Sequence, residues 1–368
     1  MSFAIFMLTF NLLGVRAEEI EVSAKSAILM CADSGSVVFR KNENEKLSMA
    51  STTKIMTSLL TLEAAEIENK EVKITQEMVA VEGSSMGLRV GNVVTLDTLV
   101  KGMLMCSGND AANSAAIAVG GTVEKFAVLM NERAKQIGMK NTNFVTPSGL
   151  DDDNHYSTAY DMALLGAYAM ENDKFKEIAS QKSATVDFIE PCERHSYANH
   201  NKLITKYKGC IGVKTGFTKK SGRCLVSCAE RDGVRLIAVT LNAPDDWNDH
   251  IKMFDYGFSK VKSVKCDDTN MNYSHPIVGA SENEILLNAA FPVEFTVNSD
   301  DEDKITKRLD LPDFFYAPVE KGQIMGTIYY EVNGVVAGST NIISACDVEE
   351  NSKLSFWDRF INFFRINK

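Results

Sequence analysis

Three short runs hold the residue types that acyl transfer needs: Ser51-Thr52-Thr53-Lys54, Ser107-Gly108-Asn109 and Lys214-Thr215-Gly216. A serine hydroxyl attacks poorly until a base takes its proton. A lysine is that base only when its pKa falls, and burial or a second nearby cation lowers it. Lys54 follows Ser51 by one helical turn, so the two side chains share a face. Lys214 is the candidate second cation. Ser51 opens a predicted helix, where developing negative charge is favoured. Ser107 can pass a proton between the nucleophile, the lysines and a leaving amine. Asn109 can hydrogen-bond a substrate amide. The third run lies on a predicted strand, and an exposed strand edge binds an extended peptide as one more strand. Gly216 leaves space for close backbone approach. Lys214 and Thr215 offer charge-assisted hydrogen bonds to a terminal carboxylate, which predicts release of a C-terminal residue.

Singly, each run is weak. Ser51 alone reads as a helix cap, Lys54 as a surface lysine, Ser107-Gly108-Asn109 as a plain turn, and Lys214-Thr215-Gly216 as an ordinary edge strand. Ser259-Lys260-Val261-Lys262 repeats the Ser-x-x-Lys pattern elsewhere in the chain. The specificity lies in order, spacing and context.

The elements around these runs suit the task. Residues 27–32 are apolar, Asp33-Ser34-Gly35 is a turn and 37–40 resumes, a β-hairpin pattern. From Ser51 to Ile67 helix formers dominate, with Ile55, Met56, Leu59, Leu60 and Leu62 apolar. Residues 96–170 are rich in Ala, Leu and Met with helical periodicity, and predict a helical cluster. Residues 212–217, 224–229 and 234–241 form a three-strand meander through the turns at 219–222 and 231–233. Two early strands, a helical middle and three late strands give an α+β fold: one antiparallel five-stranded sheet with helices packed on it. After residue 258 short alternating runs predict a small all-β domain. Asn333-Gly334 between residues 324–332 and 335–337 is its strongest hairpin signal. The predicted division is 1–17, 18–260, 261–350 and 351–368.

Both ends have their own character. Residues 4–15 are mostly apolar and Val15-Arg16-Ala17 is a small-x-small cleavage pattern, which predicts a signal peptide and export; no Lys or Arg precedes the apolar core. Near the other end Leu354, Trp357, Phe360, Ile361 and Phe364 share one helical face, opposite Ser355, Asp358, Arg359, Asn362 and Arg365. That pattern predicts a helix lying in a membrane surface through residues 354–368. The chain has 368 residues and a formal net charge of -10, enough for two cores and a poor match to nucleic acid, whose phosphates need clustered Lys and Arg. Its eight cysteines are dispersed and read as free, partly buried thiols. No Cys-x-x-Cys pair or His cluster suggests a metal.

The three motifs together resemble those of the penicillin-binding proteins and serine β-lactamases. The flanks are more specific. Met49-Ala50-Ser51-Thr52-Thr53-Lys54-Ile55-Met56-Thr57, Ser107-Gly108-Asn109-Asp110-Ala111-Ala112 and Gly212-Val213-Lys214-Thr215-Gly216-Phe217-Thr218 look like the low-molecular-mass D-alanyl-D-alanine carboxypeptidases. So do Asn143-Phe144 through Gly149-Leu150, His155-Tyr156-Ser157-Thr158-Ala159 and Asp161-Met162-Ala163. The resemblance spans residues 27–258, and a β-rich second domain and terminal amphipathic helix are likewise family features.

The resemblance implies a transpeptidase-like catalytic domain and a catalytic set of Ser51 as acylated nucleophile, Lys54 as base, and Ser107 and Lys214 in the proton relay. Asn109, Thr215, Gly216 and Phe217 would meet substrate, with the Ser51 and Phe217 N–H groups forming an oxyanion hole. It further implies peptidoglycan stem peptides ending in D-Ala-D-Ala as substrate, β-lactams as covalent inhibitors, a place on the outer face of the cytoplasmic membrane, and no cofactor. Phe217 stands where some relatives carry a polar ring. The nearest enzymatic rival, a class A β-lactamase, needs Glu-x-x-Leu-Asn between the second and third motifs. Glu284-Ile285-Leu286-Leu287-Asn288 has the letters but follows the third motif. A β-lactam-sensing or wall-binding module on the same fold is the non-enzymatic rival.

Overall fold

The computed structural model describes residues 20–351. The expected leader at 1–17 and the expected amphipathic helix at 354–368 lie outside the described residues. The central sheet has five antiparallel strands: β1 (Ser26–Cys31), β2 (Val37–Lys41), β3 (Cys210–Thr218), β4 (Gly222–Arg231) and β5 (Val234–Leu241). Their order is β2-β1-β5-β4-β3, so the strand carrying Lys214-Thr215-Gly216 is an edge.

Every residue of β1 is buried, because helices cover both faces of the sheet. Strand alternation divides the side chains. Ile28 and Met30 join the helical cluster, while Ala27, Leu29 and Cys31 pack with Met253 and Phe254 of the Asp246–Lys260 helix. In β5, Ile237 and Val239 face the first cluster and Leu236 and Ala238 the second.

The helical cluster runs through α1 (Lys54–Ile67) and the helices Leu96–Met105, Asn109–Gly120, Val123–Ile137, Ala159–Ala169 and Asp173–Ser180. Several begin where a polar side chain takes an otherwise unpaired N–H. Thr95 accepts from Thr98 N, Thr122 from Lys125 N, Thr158 from Asp161 N and Asn172 from Phe175 N. Such a cap contributes about 1 kcal/mol. Ser51 does not open α1 itself. It sits in a single 3-10 turn, Ala50–Thr53, that feeds the helix.

After Lys260 the chain turns to strands with a separate core that includes Phe295, Ile328, Tyr330 and Ile342. The Asn333-Gly334 turn has φ of 52° and 78°, the left-handed pair that a two-residue hairpin requires. Its return strand, Val335–Ser344, runs well past the expected end at Ala337. Glu284–Ala289 is a strand of this same sheet and contributes nothing to the cleft described below. Ser259 and Lys262 fall on either side of a helix-to-strand junction. There the Ser259 hydroxyl donates to Tyr256 O and Lys262 pairs with Glu302, so the second Ser-x-x-Lys match forms no site. None of the eight cysteines is in a disulfide; Cys31, Cys210, Cys224 and Cys228 are buried.

Candidate active site

The three motifs meet where α1, the helical cluster and the β3 edge converge. The Ala50–Thr53 turn is tightly held: Thr52 Oγ1 donates to Met49 O at 2.6 Å. Edge strand β3 crosses directly beside it. A Cβ on Gly216 would lie 3.0 Å from both Met49 O and Ser51 N, so the missing side chain lets strand and turn approach this closely.

Lys54 is fully buried. Its Nζ lies 3.0 Å from Ser51 Oγ, and it donates to Asn109 Oδ1 at 2.6 Å and Ser148 O at 2.7 Å. Burial first, and the Lys214 charge second, hold its pKa well below the usual lysine range. Lys214 is 1% exposed, and burial brings it down to about 7. Its ammonium donates to Thr215 O at 2.8 Å. Among the described residues neither lysine makes a salt bridge. The site therefore holds two amines whose charge water does not stabilise, one of them against a serine hydroxyl.

A cleft of about 470 Å³ opens over this group, with Ser51, Ser107, Thr215, Gly216 and Phe217 on its walls. Ser107 is 4% exposed and takes a left-handed φ of 61° between two helices. Lys214 lies behind the wall, so Thr215, not the lysine, meets the cleft. Asn109 is also set back. Its Oδ1 accepts from Lys54 and its Nδ2 donates to Glu82 O at 2.7 Å, so its amide is occupied by the protein itself. Phe217 is 65% exposed at the mouth.

The neighbouring Asp110 closes the rim. Its carboxylate accepts from the backbone N–H groups of Met86, Gly87 and Leu88 and from Ser85 Oγ. That fastens the segment carrying Ser84, another wall residue, to the second motif.

Two wall features escape a motif reading. Arg223 on β4 is directly opposite Phe217 in the β3–β4 register. It donates from Nε to Asp246 Oδ1 at 2.8 Å and its guanidinium lies 5.5 Å from the Trp247 ring centroid. The meander pairing is the signal that could have found it. His200 reaches the cleft from an irregular segment, and burial, with Lys214, lowers its pKa. Nothing in its sequence context marks it.

A buried lysine against a serine hydroxyl, beside an open sheet edge, defines a serine enzyme of acyl transfer. Comparison with known proteins gives the family. Residues 14–245 match the family described as D-alanyl-D-alanine carboxypeptidase, and residues 258–350 match the penicillin-binding protein 5 C-terminal domain. The chain is 32% identical over 357 residues to D-alanyl-D-alanine carboxypeptidase DacF of Bacillus subtilis, covering 94% of this chain and 91% of that one. It is 34% identical over 358 residues to DacC of Escherichia coli, covering 92% and 87%. Penicillin binding protein 5 from Haemophilus influenzae superposes with a TM-score of 0.70 at 30% identity, over 90% of this chain and 99% of that one. The Streptomyces K15 DD-transpeptidase superposes with a TM-score of 0.63 at 30% identity, over 66% and 99%. The chain belongs to the D-alanyl-D-alanine carboxypeptidase family of serine peptidases.

Proposed function

We propose that this protein removes the terminal D-alanine from peptidoglycan stem peptides through an acyl-enzyme on Ser51. The 3.0 Å approach of the buried Lys54 amine to Ser51 Oγ carries this reading. Neutral Lys54 takes the hydroxyl proton as Oγ attacks the carbonyl of the penultimate D-alanine. The Ser51 and Phe217 N–H groups receive the developing oxyanion. Ser107, with Lys214 in the proton relay, returns the proton to the leaving amine. Water then attacks the ester and frees Ser51. The substrate backbone lies along β3, and Thr215 with Arg223 suits its terminal carboxylate. A β-lactam enters the same cycle, its ring amide opening onto Ser51 to leave a slowly hydrolysed ester.

The reading extends to place. We propose that residues 1–17 direct export, that 18–260 and 261–350 act as catalytic and spacer units, and that 354–368 lies on the outer face of the membrane. No helix among the described residues is long and apolar enough to cross a membrane.

The test is intact mass after incubation with benzylpenicillin, then peptide mapping. One penicilloyl group on the Ser51 peptide, absent in Ser51→Ala, with D-alanine released from a pentapeptide, is the expected result. An adduct without D-alanine release would favour a sensor. Rapid drug hydrolysis without an adduct would favour a β-lactamase.

A further inference from the structure

His155 is the one buried imidazole next to the nucleophile turn that the chemistry above does not use. It is 2% exposed. Its Nδ1 faces two backbone donors, Val145 N at 2.9 Å and Thr146 N at 3.3 Å. A ring nitrogen that accepts from N–H groups carries no proton itself, so the proton sits on Nε2. Nε2 then donates to Thr53 Oγ1 at 2.8 Å. Thr53 lies inside Ser51-Thr52-Thr53-Lys54. One imidazole therefore bonds residues 145–146 with one edge and the nucleophile turn with the other.

The segment it holds matters to the base. Ser148 O accepts from Lys54 Nζ at 2.7 Å, and Pro147 O accepts from Thr57 Oγ1 at 2.7 Å. Gly149, at φ +81°, passes so close to the turn that a Cβ there would overlap the Ala50 carbonyl oxygen. A neutral amine has two N–H donors and one lone pair. Asn109 Oδ1 and Ser148 O take the two donors. The lone pair is left for the Ser51 hydroxyl. If Ser148 O moves away, the amine is free to rotate and present an N–H to Ser51 instead.

We propose that His155 is a positioning residue for acyl transfer: by tying residues 145–149 to Thr53 it holds the Ser148 carbonyl against Lys54 and so aims the lone pair of the base at Ser51. This rests on the assignment of Ser51 and Lys54 above. Burial keeps the ring neutral, bringing it to about 4 against the opposing pull of Asp152 and Asp151. Phe144 packs edge-on against it at 5.9 Å and gives no charge.

The experiment measures the benzylpenicillin acylation rate across pH, with melting temperature and adduct mapping, for the wild-type chain, His155→Phe and Thr53→Val. His155→Phe keeps a ring and deletes both bonds; Thr53→Val deletes the acceptor and keeps the histidine. Expected is a rate loss of about tenfold or more in His155→Phe, as misplacement of a reacting group produces. The acid limb of its pH profile moves to lower pH, because the Lys54 ammonium has lost an acceptor. Thr53→Val moves the same way by less. A purely structural role would lower the melting temperature and leave the limb in place. A folded His155→Phe within about twofold of wild type, with an unmoved limb, overturns the inference. Should that variant not fold, a wild-type rate and limb in Thr53→Val overturns it. Absence of a Ser51 adduct in the wild-type chain would instead bring down the site assignment, and this inference with it.

Discussion

The cleft and the β-rich region treat charge in opposite ways. Around the cleft, Lys54 and Lys214 are buried without a salt bridge and rely on oxygens of Asn109, Ser148 and Thr215. In the β-rich region several cations stay at the surface and pair with carboxylates, as in Lys304–Asp301, Lys307–Asp268 and Arg308–Glu331. Burying an unpaired amine costs stability, and such groups cluster where a shifted pKa is useful. Exposed pairs contribute little. The contrast locates the chemistry in the cleft without reference to any motif.

Three substitutions test the contrast. Gly216→Ala should have the largest effect. Its methyl would press on Met49 O and Ser51 N, and the nucleophile turn would have to shift by a few tenths of an ångström to make room. The acylation rate should fall by about a hundredfold, read from penicilloyl adduct formation, with the fold retained by circular dichroism. A change below about threefold would show that the turn is looser than the geometry implies.

The pH dependence comes next. Lys54 must be neutral to take the proton, so the rate should rise with pH through its lowered pKa. Lys214 must be charged, so the rate should fall as pH passes about 7. The profile is then a bell. Removing the Lys214 charge takes away a group that depresses Lys54, so Lys214→Gln should move the acid limb to higher pH. An unmoved limb would uncouple the two lysines.

The smallest effect belongs to the β-rich region. Tyr330 is fully buried and its hydroxyl donates to Asp268 Oδ2 at 2.8 Å. Tyr330→Phe should cost ~1 kcal/mol of stability in denaturant titration and leave acylation at the wild-type rate. A loss of acylation would mean that the two regions are coupled.

Much of this was legible in the sequence, for reasons that differ by element. The five strands were readable because β1 and β5 are dominated by apolar residues and turn residues separate β3, β4 and β5. The motifs were readable because Ser51 and Lys54 are local and share one turn. What escaped depends on long-range contacts. The Asp246–Lys260 helix buries only one face, against Leu29 and its neighbours, and its polar residues hid it. The separate two-stranded hairpin Ser183–Phe188 with Glu193–Ala198 alternates correctly, but it carries charged residues and encloses Pro191. Ser148 O reaches Lys54 as a backbone carbonyl, 94 residues away in sequence, and a carbonyl leaves no trace in residue type. The withdrawal of Lys214 and Asn109 from the cleft surface was equally invisible, because spacing does not encode depth.

The open edge at β3 has a consequence for how copies of this protein meet one another. An unpaired strand is a template for any other strand, and sheet proteins with free edges risk joining into fibres. Here the stretch has close neighbours at two points. The Ala50–Thr53 turn packs against it at Gly216, and the Thr218 hydroxyl donates to Asp151 at 2.9 Å. A second folded molecule would have to fit around both neighbours to pair along the strand, whereas a single extended chain end is narrow. Close neighbours of this kind are one of the ways in which an edge strand is guarded against pairing with another copy.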